Sequence, residues 1–183
     1  GVGLSWSGKE KLVIIKNRDA IDHWFFNSSV LAVNKLLTLD TNNNDSQENS
    51  SGYITYNSNT FTTYNGSNML NLANNYIAYC FHEVEGYSRI GRYTATNSAS
   101  NGIFVYTGFR PAFLLVKGTS STEWWGLYDQ ERLGYNPNNR ALYPNANDAE
   151  NASTDHWDFY SNGFNTYMYL AIAEMPFKYA NAR

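Results

Sequence analysis

KLVIIKNRDAIDHWFF, from Lys11 to Phe26, and AFLLVKGTSSTEWWGLY, from Ala112 to Tyr128, repeat one pattern. Each opens on a short apolar run that ends in Lys, and each carries a Trp eight residues after that Lys, at Lys16/Trp24 and Lys117/Trp125. The runs are short and bounded by Asn, Asp, Ser, Thr and Gly. Each stretch therefore predicts a strand, a turn and a second strand rather than a piece of buried helix.

The match extends outward from there. KLLTLDTN (35–42) pairs with RALYPNAN (140–147), YITYNSNTFTT (53–63) with HWDFYSNGFNT (156–166), and YIAYCFHE (76–83) with YMYLAIAE (167–174). The offsets run 101, 105, 103 and 91, so loop lengths change between fixed strands. Matched segments in one order point to an internal duplication. The expected fold is all-β: tandem antiparallel β-sandwich units of jelly-roll or concanavalin-like kind, spanning 1–85 and 86–183. SRIGRYTA and GIFVYTG, between the copies, read as two further strands with no counterpart ahead of Lys11. The first unit is thus expected to lack its leading strands, and these lie upstream or come from a neighbouring chain. Gly1, standing where Met would begin a chain, reads as a processed or excerpted end. One short helix is expected over SNMLNLANNY (67–76).

Composition narrows the function. Of 183 residues, 43% are apolar and 16% charged, and 15 Tyr, 10 Phe and 5 Trp suit a β protein with polar loops. A net charge of −3 argues against nucleic acid as a partner, and no apolar run is long enough for a spanning helix. Cys80 is the single cysteine, so no intrachain disulfide forms.

YIAYCFHEVEGYSRIGRYT, FVYTGFRPAFLLVK and the terminal EMPFKYANAR resemble a domain family carried in tandem at the C-terminus of large bacteriophage virion proteins of tail-fibre or appendage type. The resemblance covers nearly the whole chain. It departs in SGKEKL of the first copy and in the shortened loop before the last strand of the second. It implies a lectin-like sandwich and a place on the virion surface as part of a fibre, spike or decoration protein. Its partners would then be other virion proteins and copies of itself, in a homo-oligomer such as a trimer, with host surface glycan as a further contact. It implies no chemistry.

Positions apolar in both copies are expected in the core: Trp24/Trp125, Phe26/Leu127, Ile54/Trp157, Tyr56/Phe159, Phe61/Phe164, Ile77/Met168, Tyr79/Leu170 and Phe81/Ile172. The last strand is apolar on its other face too (Ala78, Cys80; Tyr169, Ala171), as suits a strand covered on both sides. Lys16/Lys117 and Glu83/Glu174 repeat at strand ends and read as structural charges. A functional reading would make each Lys and Glu a binding pair. Catalysis is not expected: His23, His82 and His156 face non-titrating residues in the other copy, and no G-x-S-x-G occurs. Asp129, Glu131, Asp148, Glu150, Asp155 and Asp158 read as solvated loop acids rather than a glycosidase pair. No cofactor is expected. Calcium is the one metal the loops could take, at Asp40, Asn42 and Asn44 and at the matching 145–151, though the sixth-position Gly and twelfth-position Glu are missing. Sugar stacking needs exposed aromatics. With Trp125 and Leu127 on the core face, Trp124 and Tyr128 are expected to point outward, with Tyr135 and Tyr143 nearby, either to stack on a sugar or to pack against another chain or a neighbouring domain. His23, opposite Trp124, marks where the copies disagree.

Overall fold

A computed structural model describes residues 2–3, 10–45, 47–48, 52–64, 69–94, 103–120, 122–132, 136, 140–152, 159–160, 163–164 and 168–174. Among them there is no helix, and every strand pair is antiparallel. The chain divides into two compact units, Gly1–His82 with Ser120–Glu123, and Glu83–Thr119 with Trp124–Arg183.

The first unit holds β1 (Val2–Gly3), β2 (Lys11–Asn17), β3 (Trp24–Ser28), β4 (Lys35–Thr38), β5 (Gln47–Glu48), β6 (Ile54–Tyr56), β7 (Thr60–Thr63) and β8 (Tyr76–His82). They form one sheet in the order β5-β4-β3-β2-β8 and a smaller one in the order β1-β7-β6. Alternation along β2 and β3 sends Val13, Ile15 and Phe25 to one face, where they meet Leu36, Tyr53, Ile54, Phe61 and Leu70 in a closed core. Leu12, Phe26 and Leu37, on the other face, are buried as well.

The second unit holds β9 (Ser88–Gly91), β10 (Val105–Tyr106), β11 (Pro111–Lys117), β12 (Gly126–Asp129), β13 (Phe159–Tyr160), β14 (Gly163–Phe164) and β15 (Met168–Ala173). Its sheets run β12-β11-β15-β9 and β10-β14-β13. Leu114, Val116, Tyr128, Tyr169 and Ala171 from the first of these share a core with Phe159 and the packed Val105 from the second. Two packed sheets around one apolar core make each unit sandwich-like. Glycine is required at two strand positions of this core. A Cβ on Gly91 would lie 2.6 Å from the Tyr169 hydroxyl oxygen, and one on Gly126 would lie 2.7 Å from the Tyr128 ring.

Register pairs correspond between the units under the offsets read from the sequence. Lys16 faces Ile77 and Lys117 faces Met168; Phe26 faces Leu37 and Leu127 faces Leu142. Likewise Tyr56 faces Phe61 and Phe159 faces Phe164, and Leu36 faces Gln47 as Ala141 faces Asn151, with Gln47 and Asn151 lying between the matched segments. Even the small contacts correspond. The Trp24 amide donates to Asp40 Oδ1 at 3.1 Å, and the Trp125 amide donates to Asn145 Oδ1 at 2.9 Å.

Several expectations need correction. Residues 69–75, the described part of the expected helix before β8 begins, are turns and bends. The Tyr76 hydroxyl accepts from the Leu72 amide and donates to the Met69 carbonyl, and Asn75 bonds Asp19, so side chains take over the backbone groups a helix would need. Lys16 and Glu83 do not pair. Lys16 stands at the Ile77 end of β8 and Glu83 follows the other end, about 20 Å away at strand rise. Lys16 Nζ donates instead to the Asp22 carbonyl at 2.8 Å and Lys117 Nζ to the Gly118 carbonyl at 2.8 Å, while Glu83 meets Arg89 and Glu174 meets Arg110. Ile77 and Tyr79 are exposed rather than core, because β8 ends its sheet whereas β15 lies inside its own.

Candidate surface-contact site

The residues expected to make surface contacts do not form one site. Trp124 is exposed, at 46%, just before β12. Tyr128 is only 3% exposed. This corrects the expected orientation: Tyr128 lies in the core, whereas Leu127, expected there, is the less buried of the two. Tyr128 faces Leu114 on β11 and joins the apolar cluster there. Tyr143 is half-buried against the same cluster, and its hydroxyl accepts from Asn151 Nδ2 at 3.3 Å. Tyr135 lies outside the described residues. His23 belongs to the first unit, where its Nδ1 lies 2.9 Å from Asp40 Oδ2 and its ring meets Phe25 edge-on. His23 and Trp124 thus fall in different units.

Of the loop acids, Asp129, Glu131 and Glu150 are bonded to neighbouring side chains, and Asp155 and Asp158 lie outside the described residues. Asp40 Oδ2 lies 2.9 Å from His23 Nδ1 and Asp40 Oδ1 accepts from the Trp24 amide at 3.1 Å, which gives that carboxylate a structural role. Arg132 bonds Asp129 and Glu150, and Arg140 bonds Glu150. Glu83 accepts from the Ile90 amide at 3.2 Å as well as from Arg89. Among the described residues no cluster of His, Cys, Asp and Glu could hold a metal ion.

A different group of side chains makes a surface. In the order β10-β14-β13, Tyr106 faces Gly163, and Gly163 faces Tyr160. Residues paired in this way share a sheet face, so two tyrosines flank a position with no side chain. Their backbones stand about 10 Å apart at the usual strand spacing, and the outer end of the Tyr106 ring lies toward Gly108. Tyr106 is 64% exposed, Phe104 47% and Tyr160 39%. Phe104 meets Tyr160 edge-on, with centroids 5.7 Å apart at 66°. Beneath them the support is firm. Phe159 is buried, and Asn136 clamps its backbone at both ends, donating to its carbonyl at 2.8 Å and accepting from its amide at 2.9 Å. Gly108, at φ 83°, takes a left-handed turn under Tyr106 that other residues rarely adopt.

This platform was missed in the sequence, yet a signal existed. At offset 103, Phe104, Tyr106, Tyr160 and Gly163 stand where the first unit has Gly1, Gly3, Asn57 and Thr60. The pairing is the same, because Gly3 faces Thr60 as Tyr106 faces Gly163, so β1 is the counterpart of β10, which corrects the expectation that GIFVYTG has none ahead of Lys11. The scaffold therefore forms without aromatics there, and their presence on one unit calls for a reason other than packing.

Fold and surface together define an all-β module of antiparallel sandwich units that exposes aromatic side chains. The chain belongs to a family described as a domain of unknown function, DUF7483, whose model matches residues 1–176. No curated protein and no solved structure matches it.

Proposed function

We propose that this chain is a non-enzymatic surface-contact and assembly module of a bacteriophage particle, part of a tail fibre, spike or decoration protein. The virion setting rests on the sequence resemblance. The contact role rests on one observation, the exposed Phe104/Tyr106/Tyr160 platform that the matching strands of the first unit lack. Sugar rings present C–H faces that stack on aromatic rings, so a saccharide of a bacterial envelope is the ligand class such a platform takes. The engagement of Asp40, Asp129, Glu150 and Glu83 in scaffold bonds supports a non-catalytic role. The matched register pairs support descent of the two units from one duplicated ancestor.

The test is retention of the purified chain on a panel of immobilised bacterial capsule and lipopolysaccharide fractions. Binding to at least one fraction is expected, falling about tenfold or more in Tyr106→Ala/Tyr160→Ala, the loss of two stacking contacts. The far-UV spectrum should be unchanged. No binding to any fraction, or equal binding by the double variant, would overturn the proposal.

A further inference from the structure

β8 and β15 are counterparts with different surroundings. On one side each meets the long first strand of its unit in the same register: Val13 faces Cys80 as Leu114 faces Ala171, and Ile14 faces Tyr79 as Leu115 faces Leu170. On the other side β15 is paired with β9, with Arg89 facing Ala171, Ile90 facing Leu170 and Gly91 facing Tyr169. Among the described residues no strand takes that place beside β8. The consequence is plain in burial. Leu170 is 5% exposed and Ala171 is fully buried, whereas Tyr79 is 45% exposed, with Ile77 and Ala78 exposed beside it.

Exposed strand edges pair readily with other chains, and proteins guard them with lysine, proline, bulges or short length. β8 has none of these defences. It runs seven residues, YIAYCFH, without Lys, Arg, Asp, Glu, Pro or Gly, and it pairs with β2 without a register break. We infer that the open edge of β8 is an acceptor for one further antiparallel strand of the β9 type, Ser-Arg-Ile-Gly in pattern, supplied by another unit of this family. The chain's own β9 is held by β15, so the strand comes from elsewhere. The counterpart sheet fixes the register. The incoming Ile lies opposite Tyr79 and covers its ring, the Arg lies opposite Cys80, the Ser opposite Phe81 and the Gly opposite Ala78. This goes beyond the aromatic platform, which lies on the other unit and plays no part in it.

Cys80, the chain's single cysteine, makes the register measurable. Peptides of Glu85–Thr94 carry one cysteine each, as Ser88→Cys, Arg89→Cys or Ile90→Cys, and all carry Gly91→Val. That last change blocks exchange into β15, where the Tyr169 ring fills the space, and is tolerated beside β8, where Ala78 stands opposite. Directly opposed residues are within disulfide reach, and a one-residue slip turns the thiol to the other face. Each peptide cysteine is supplied as its 2-thiopyridyl disulfide, so the Cys80 thiolate attacks the peptide sulfur and 2-thiopyridone leaves; the Arg89→Cys peptide is expected to form the mixed disulfide with Cys80 about tenfold faster than the other two. A cysteine-free Gly91→Val peptide is expected to slow alkylation of Cys80. Equal linkage by all three peptides, unchanged alkylation, or a dimer of the chain through β8 that the peptide does not dissolve would each overturn the inference.

Discussion

Asn145→Ala should destabilise the protein more than Asp40→Ala, although Asp40 carries a charge and makes two bonds to Asn145's one. The two residues occupy matching places, each accepting from the amide of the repeated tryptophan. Their surroundings decide the difference. Trp125 is fully buried, so removing Asn145 Oδ1 leaves its amide unsatisfied inside the second unit. An orphaned buried donor costs about 1–3 kcal/mol. Asp40 binds the Trp24 amide and His23 at the surface, where the two side chains are 38% and 49% exposed. Water replaces both bonds there, and an exposed pair contributes about 0–1 kcal/mol. In urea, with a slope of about 1–3 kcal/mol per molar for a small domain, Asn145→Ala moves the midpoint of the second unit by about 1 M. Hydrogen exchange followed by mass spectrometry assigns each loss to its unit. A larger loss from Asp40→Ala, or none from Asn145→Ala, would refute the reasoning.

Gly126→Ala should cost about 1–3 kcal/mol by overpacking, because its Cβ meets the Tyr128 ring and Val116 at 2.7 and 3.0 Å; thermal melting reads it, and an unchanged melting temperature would show that the ring moves freely. Burial raises the Tyr56 hydroxyl well above its usual 10.0 and raises Tyr53 and Tyr169 as well, so the unfolded chain ionises first. Stability is therefore full below about pH 10 and falls as pH rises beyond it toward the folded values; Tyr56→Phe should flatten that fall in a pH series of urea midpoints. Adding millimolar calcium or a chelator should leave the melting temperature unchanged, since Asp40 spends both oxygens on His23 and Trp24; a calcium-dependent rise would restore the loop as a metal site.

The strand pairs were legible because they rest on short apolar runs and turn residues, which act locally. Lys16 beside Trp24 is one hairpin, and KLLTLDTN matched with RALYPNAN sets Asp40 and Asn145 at one position, where each accepts from the repeated tryptophan's amide. What the sequence hid depends on neighbours. Ala78 and Tyr79 stand at the places that Tyr169 and Leu170 take in the matching apolar strand, yet the first two are exposed and the others buried, because a strand's burial is set by what pairs beside it. Tyr128 shows the same limit, since its alternation was readable but the identity of the covered face was not. SNMLNLANNY carried helical spacing, and in its described part the side-chain bonds of Asn74 to Asn17 and of Asn75 to Asp19 outweighed it.

Agreement and disagreement between the units carry different information. Where they agree, as at Phe26/Leu127 and Tyr56/Phe159, the sheet geometry explains the residue and no function is needed. Where they disagree on an exposed face, geometry explains nothing, because the same pairing forms with Gly3 and Thr60 as with Tyr106 and Gly163. Exposed aromatics cost solubility, so retaining three of them on one face is explained by what they touch. The β8 edge makes the complementary case: an unguarded strand is a liability in isolation and an asset in an assembly that fills it. Substituting the platform should leave folding and strand capture intact, and blocking the edge should leave the platform intact. Loss of both functions from either change would mean that the two units are not the independent parts that their matched, self-contained cores imply.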